Sequence, residues 1–195
     1  MTGLDADPDM LKVAKYKSAQ LKAPVKFDVG FTNKLPYPDE SFDRVLSSIM
    51  IHHLKTPDKW QTAREVYRVL KPGGRLAVTV PRWLPERVCW LLSDEYHSNE
   101  GGHIRIYTDA ELIDKVTKAG MVFDGRDYAH GLHTPYWWIK CAVGVNNDEH
   151  PLVKAYHQLL VWEIVKQPKI LQWAGAVLDP VIGKSMVLYF HKPAA

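Results

Sequence analysis

The fold is decided between residues 35 and 81. This stretch reads LPYPDESFDRVLSS over residues 35–48, HHL over 52–54, RVLKPGG over 68–74 and LAVTV over 76–80, and closes at Pro81. Pro36, Pro38, Asp39 and Ser41 are turn formers. Residues 42–50 form an apolar run that predicts a strand covered on both faces. Thr56 followed by Pro57 predicts a helix start, a capping hydroxyl with proline at the first helical position. Trp60, Ala63, Tyr67 and Leu70 then recur on one helical face. Pro72, Gly73 and Gly74 predict the helix stop, and residues 76–80 a second buried strand. Turn, strand, helix, stop and strand in that order describe two strands joined by a crossover helix.

The same alternation extends outward. Residues 2–6 read as the end of a strand. Asp7 and Pro8 repeat the cap-plus-proline start, and Met10, Leu11, Val13 and Ala14 give that helix an apolar face to about Ala19. Residues 25–29 form a short strand. Thr108 with Glu111 makes a capping box, Leu112, Val116 and Ala119 form the stripe behind it, and Gly120 stops the helix. Residues 121–128 and 185–191 (SMVLYFH) are the last strands. The prediction is a single α/β domain over residues 1–195, a Rossmann-like, mostly parallel sheet with flanking helices. Residues 132–182 depart from the alternation as a helical insertion carrying Tyr136, Trp137, Trp138, Trp162 and Trp173. Its segment 151–166 is apolar around most of its circumference. That fits either a helix buried in the core or a wall over a hydrophobic ligand.

Bulk properties narrow the function classes. The 195 residues are 46% hydrophobic with a formal net charge of +3, and the basic residues form no run. This speaks against a dedicated nucleic-acid surface. Two cysteines, Cys89 and Cys141, lack metal-ligand spacing and point to a reducing cytoplasm rather than a disulfide scaffold. No metal site is expected. No segment is long and apolar enough for a transmembrane helix, and the N-terminal residues lack the pattern of a signal peptide.

Ligands of open α/β sheets bind where strand carboxyl ends meet helix starts. Asp5 sits at such an end, and its carboxylate could accept both hydroxyls of a ribose or serve a simple turn. With GLDADPDML at residues 3–11, the 35–42 turn, Asp43, His53, Leu54 and residues 68–74, the chain resembles the class I S-adenosylmethionine-dependent methyltransferases of the small-molecule type, similar to the ubiquinone and menaquinone biosynthesis methyltransferases. The resemblance covers about residues 2–82, with a fainter echo in residues 102–105 and 112–121.

The resemblance implies S-adenosylmethionine as cofactor, with Asp5 and the adjoining Ala6 at the ribose. Gly30, Phe31 and Thr32 would lie beside the adenine, and Ser47 and Ser48 along the methionine part. The family usually carries an acidic residue at the position of Phe31; a phenyl ring can stack on adenine but cannot accept from its amine. No Gly-x-Gly loop precedes Asp5, so the chain is expected to lack the family's first strand and glycine-rich loop. The sheet would then fall into two parts, and Met1 would not be the natural start.

Methyl transfer is chiefly positioning, and a base is needed only for a protonated acceptor. His52 and His53 are the candidates for that role, or else loop residues that pack against the next helix. His103, Arg105, Trp83 and Trp137 are candidates to touch the acceptor. The expected function is methyl transfer to a small, hydrophobic or lipid-like acceptor. Two alternatives stand beside it: a truncated or non-catalytic methyltransferase-like module, and a nicotinamide-dependent oxidoreductase, which would also use a strand-end aspartate.

Overall fold

The computed structural model describes residues 1–48, 50–51, 53–54, 56–98 and 107–194. In chain order the elements are β1 (Thr2–Asp5), α1 (Pro8–Gln20), β2 (Lys26–Val29), β3 (Phe42–Ser48), α2 (Thr56–Val69), β4 (Leu70–Pro81) and α3 (Trp83–Leu92). They continue with α4 (Asp94–Ser98), α5 (Asp109–Thr117), β5 (Val122–Ala129), α6 (His133–Val143), α7 (Pro151–Lys166), α8 (Lys169–Ile182) and β6 (Ser185–His191). Local signals set several of these boundaries. Asp7 caps α1 by accepting from the Asp9 and Met10 amides, and Thr108 caps α5 by accepting from Glu111 N at 3.3 Å.

The strands form two sheets, β1–β2 and β3–β4–β6–β5. The β1–β2 and β3–β4 pairs are parallel, whereas β4–β6 and β5–β6 are antiparallel. The sheet system is therefore mixed rather than mostly parallel. The cause is the route of the chain between β5 and β6. Ala129 and Pro81 both pair with Ser185, so residues 130–184 leave and return at one rim of the sheet, and an antiparallel return needs no crossover. That rim is the carboxyl end of β4, which places α6, α7 and α8 on the side where β3 and β4 also end.

The core lies under the four-stranded sheet. Leu70, Leu76, Val78 and Val80 of β4 join Met186, Leu188 and Phe190 of β6, with Val66, Leu112, Val116 and Met121 packed against them. Three sequence expectations are corrected. β3 is covered on one face only: Val45 and Ser47 turn inward, while Arg44, Leu46 and Ser48 are exposed. It is an edge strand, paired with β4 alone among the described residues. The buried stripe of α2 is Lys59, Thr62, Val66 and Val69 rather than the face of Trp60, Ala63 and Tyr67, which is half-buried. Finally, Leu70 already belongs to β4, and Pro72-Gly73-Gly74 bulges out within that strand rather than ending the helix. Phe42 pairs with Leu70 but Arg44 with Arg75. Gly73 adopts φ of +72°, a conformation that favours glycine.

Arg68 explains why the 35–41 turn and α2 belong together. Its guanidinium donates to both carboxylate oxygens of Glu65 at 2.8 Å, to Asp39 at 2.7 Å, to the Tyr37 carbonyl at 2.8 Å and to the Leu35 carbonyl at 3.1 Å. Glu65 in turn accepts from the Leu35 amide at 2.8 Å. The planar five-donor fork of arginine can satisfy such a set at once, which a lysine cannot. Arg68 holds Glu65 below the usual carboxylate range.

Candidate functional site

The nominated cofactor residues fall on three loops at strand carboxyl ends. Asp5 closes β1 and is exposed; its Oδ1 accepts from the Asp7 amide at 2.9 Å. This is the turn role, and it uses one of the roughly four acceptor positions of a carboxylate. Ala6 follows in the exposed turn. Gly30 is joined to Asp5 directly, its amide donating to the Asp5 carbonyl at 3.0 Å. A Cβ on Gly30 would meet Leu4 Cδ1 at 3.0 Å, so a side chain there would press on the β1 end. Phe31 is 67% exposed. Thr32 turns away and hydrogen-bonds the Thr62 hydroxyl at 3.0 Å, which ties the β2 loop to α2.

Ser47 and Ser48 end β3, opposite Val78 and Thr79 of β4. They point to opposite faces, as successive strand residues must. Ser47 Oγ is buried and has no hydrogen-bond partner among the described residues. An unpartnered buried hydroxyl is costly, so a donor or acceptor supplied by a ligand would relieve it. Ser48 Oγ accepts from Thr79 at 3.4 Å. The structure thus joins Asp5 to Gly30 and pairs the β3 end with β4. The donor set, a strand-end carboxylate, an exposed ring and an orphaned hydroxyl, fits an adenosyl amino acid.

Of the residues nominated for the acceptor and the proton, His52, His103 and Arg105 lie outside the described residues. His53 is exposed, and its amide donates to the Met50 carbonyl at 3.0 Å. Trp83, the first residue of α3, is exposed with Arg87 beside its ring. Trp137 instead packs inward against Tyr96, with ring centroids 5.8 Å apart.

A polar cluster that the sequence reading missed surrounds Trp137. Lys184, next to β6, forms an ion pair at 2.5 Å with Glu86 of α3, which is fully buried. Lys184 also donates to Tyr96 Oη at 3.1 Å and to Cys89 Sγ at 3.6 Å. Burial and Glu86 push the Tyr96 phenol up. A hydrogen bond with Cys141, aided by Lys184, pulls the Cys89 thiol down, while the Cys141 thiol is pushed up. The sequence shows its parts but not their meeting: an acid in the mostly apolar α3, and a lysine just before an apolar strand. The ion pair locks α3 to the start of β6 at the carboxyl rim of β4.

An open cleft of about 600 Å³ lies elsewhere, bounded by Gly73, Arg75, Leu76, Asp124, Gly125, Tyr189 and His191. It sits toward the start of β4 and holds none of the nominated residues. Carboxyl-end rims, not strand starts, are where such folds bind ligands, so this cleft is not the candidate site. Among the described residues no cluster of potential metal ligands occurs.

Residues 1–78 match the model of a methyltransferase domain family. The demethylmenaquinone methyltransferase of Listeria welshimeri is 43% identical over 91 residues, which cover 43% of this chain and 37% of that protein. The methyltransferase GfsG of Streptomyces halstedii is 41% identical over 78 residues, 39% of this chain and 27% of that protein. The chain therefore aligns with little more than a third of the menaquinone relative's length. Among solved structures, an S-adenosylmethionine-dependent methyltransferase of Methanosarcina mazei superposes with a TM-score of 0.60 at 15% identity, covering 100% of this chain and 82% of that one. The cyclase SpnF gives 0.60 at 19% identity, covering 100% of this chain and 66% of that one. These two likenesses show the fold alone.

Proposed function

We infer, from a chain whose residues 1–78 match a methyltransferase domain family, that this protein uses S-adenosylmethionine to transfer a methyl group to a small, lipid-like acceptor. The observation that supports the reading is that Asp5, Gly30 and the orphaned Ser47 hydroxyl each stand at the carboxyl end of a strand within the matched segment.

S-adenosylmethionine, when bound, supplies a methyl group on an electrophilic sulfonium. Asp5 accepts hydrogen bonds from its ribose hydroxyls. Gly30 keeps the β1 end free of a side chain, and the exposed Phe31 offers a ring face where the family usually has an acid. Ser47 donates to or accepts from the amino-acid part. The protein's work is orientation. His53, with His52, His103 and Arg105, is assigned to the acceptor side, and a histidine acts as base only where the acceptor enters protonated. The Lys184–Glu86 pair holds α3, and with it Trp83, at the rim.

The name of the menaquinone relative supports a lipid-like acceptor. The two free cysteines agree with a cytoplasmic setting. Neither a nicotinamide-dependent oxidoreductase nor a non-catalytic module gains support from the relatives.

Isothermal titration of S-adenosylhomocysteine into the full-length protein tests the reading. Binding is expected, with Asp5→Asn weakening it about tenfold or more through loss of charge-assisted hydrogen bonds. Absence of binding to the unmutated full-length protein would overturn it.

A further inference from the structure

The α7–α8 hairpin is anchored at its base and bare at its tip. Near the base, Tyr156 Oη donates to the Leu132 carbonyl at 3.0 Å and the Gly131 amide donates to Asp179 Oδ1 at 2.6 Å. Thr134 Oγ1 donates to the Ile182 carbonyl at 2.6 Å. A Cβ on Gly131 would lie 2.7 Å from the Leu178 carbonyl carbon, so α8 presses on the backbone there. Val153 and Leu160 are the buried residues of α7, and α8 has none. Beyond Leu160 the chain is exposed at Val161, Trp162, Ile164, Val165, Ile170 and Trp173; the last three are 67%, 68% and 68% accessible. The turn is short, with Gln167 in the left-handed region and Pro168 capping α8.

Exposed apolar side chains scattered singly need no explanation, but a contiguous group at a protruding tip marks an interaction site. Its composition identifies the partner. Lys166 and Lys169 lie exposed within the apolar run, between Val165 and Ile170. The cores of protein–protein interfaces are depleted in lysine. A bilayer interface accepts lysine, whose stem lies along the acyl region while its ammonium reaches the headgroups. Tryptophans on both helices match the residue enriched at that depth. The one acid within the run, Glu163, is only partly exposed and lies 3.7 Å from His133 Nε2, and Glu149 precedes the far end of α7, about 20 Å away along the helix.

We propose that the α7–α8 tip docks on an anionic lipid surface, with Trp162, Val165, Ile170 and Trp173 entering the interfacial layer and Lys166 and Lys169 facing lipid phosphates. The docking is a property of the patch and stands without the methyl-transfer reading. No helix among the described residues is long and apolar enough to span a bilayer, so the contact is one-sided.

The test is flotation of the full-length protein with phosphatidylcholine vesicles and with vesicles that also contain phosphatidylglycerol. Binding is expected on the anionic vesicles, with a blue shift of tryptophan emission. Trp162→Ala with Trp173→Ala should reduce binding about tenfold. Lys166→Glu with Lys169→Glu should reduce it on anionic vesicles and make the residual binding insensitive to salt. These surface changes leave folding within about 0.5 kcal/mol, which circular dichroism checks. Absence of flotation, or flotation equal in the variants, overturns the proposal. So does a dimer in light scattering that the tryptophan variant dissociates, because the tip would then be an interface between copies.

Discussion

The two sheets each contain a parallel pair and have opposite fates. In β4 and β6 the alternation is complete: every second residue from Leu76 to Val80 and from Met186 to Phe190 is sealed in the core. No residue of β1 or β2 is buried, and Val29 is 60% exposed. A two-stranded pair lacks the area to stabilise itself. What secures β1–β2 is peripheral: α1 beside it, the Thr32–Thr62 bond, and the turn clamped by Arg68. The segment that carries the ribose-binding candidate Asp5 is thus the part least supported by packing. Cofactor geometry and packing are separate demands on a sequence, and here they fall on different segments.

The largest effect should come from charge burial on the well-packed side. Lys184→Met takes the ammonium away from the buried Glu86 carboxylate, which keeps only neutral hydrogen-bond support such as that of Tyr96, and is expected to cost about 3–5 kcal/mol in denaturant unfolding. Adding Glu86→Leu should restore most of that loss. The counterpart in the small sheet, Lys26→Met, breaks an ion pair to Asp28 whose lysine is 72% exposed, and should change stability by under about 1 kcal/mol. Equal effects at the two sites would break the contrast.

Apolar truncation sharpens it next. Leu188→Ala in β6, which is wholly buried, is expected to cost about 2–5 kcal/mol. Leu4→Ala in β1 is only half-buried and should cost about 1 kcal/mol. Chemical denaturation of both variants measures the difference.

A smaller effect than at the core is expected at the clamp that ties the 35–41 turn to α2. Arg68→Ala should cost about 2 kcal/mol and speed hydrogen exchange at the Leu35 amide while leaving the β4 amides protected. Because Glu65 is held below its ordinary value by Arg68, its contribution is complete above about pH 4.3, the unfolded value. It is lost as pH falls through the depressed folded value. The slope of stability against pH in that acid window should therefore flatten in Arg68→Ala; an unchanged slope would remove Glu65 from the account.

Much of the architecture was legible in the sequence. Residues 185–191 and 151–166 form the strand and the helix read from them, the first because it is a compact apolar run and the second because Pro151 sits at its first turn; the second is mostly exposed rather than buried in the core. The Pro-Gly-Gly reading failed since Gly73 and Gly74 hydrogen-bond Lys192 across the sheet, a partner 118 or more positions away that no local pattern announces. The buried stripe of α2 was misjudged for a similar reason: Thr62 is claimed by Thr32 from the β2 loop. Of the site, Asp5 and its turn were readable because an aspartate, a cap and a proline stand in sequence. The Lys184–Glu86–Tyr96 cluster was not, as its members come from three separate elements.

The sequence by itself determined where the capped helices α1 and α5 begin and the family likeness of the first part of the chain, since caps, prolines and hydrophobic period act within a few residues. Only the tertiary structure decided that β3 is covered on one face, that β6 returns antiparallel and that the tip of α7 and α8 stays bare. Each of those depends on whether a surface from a distant segment arrives to bury it, and burial is a property of pairs of surfaces rather than of either one.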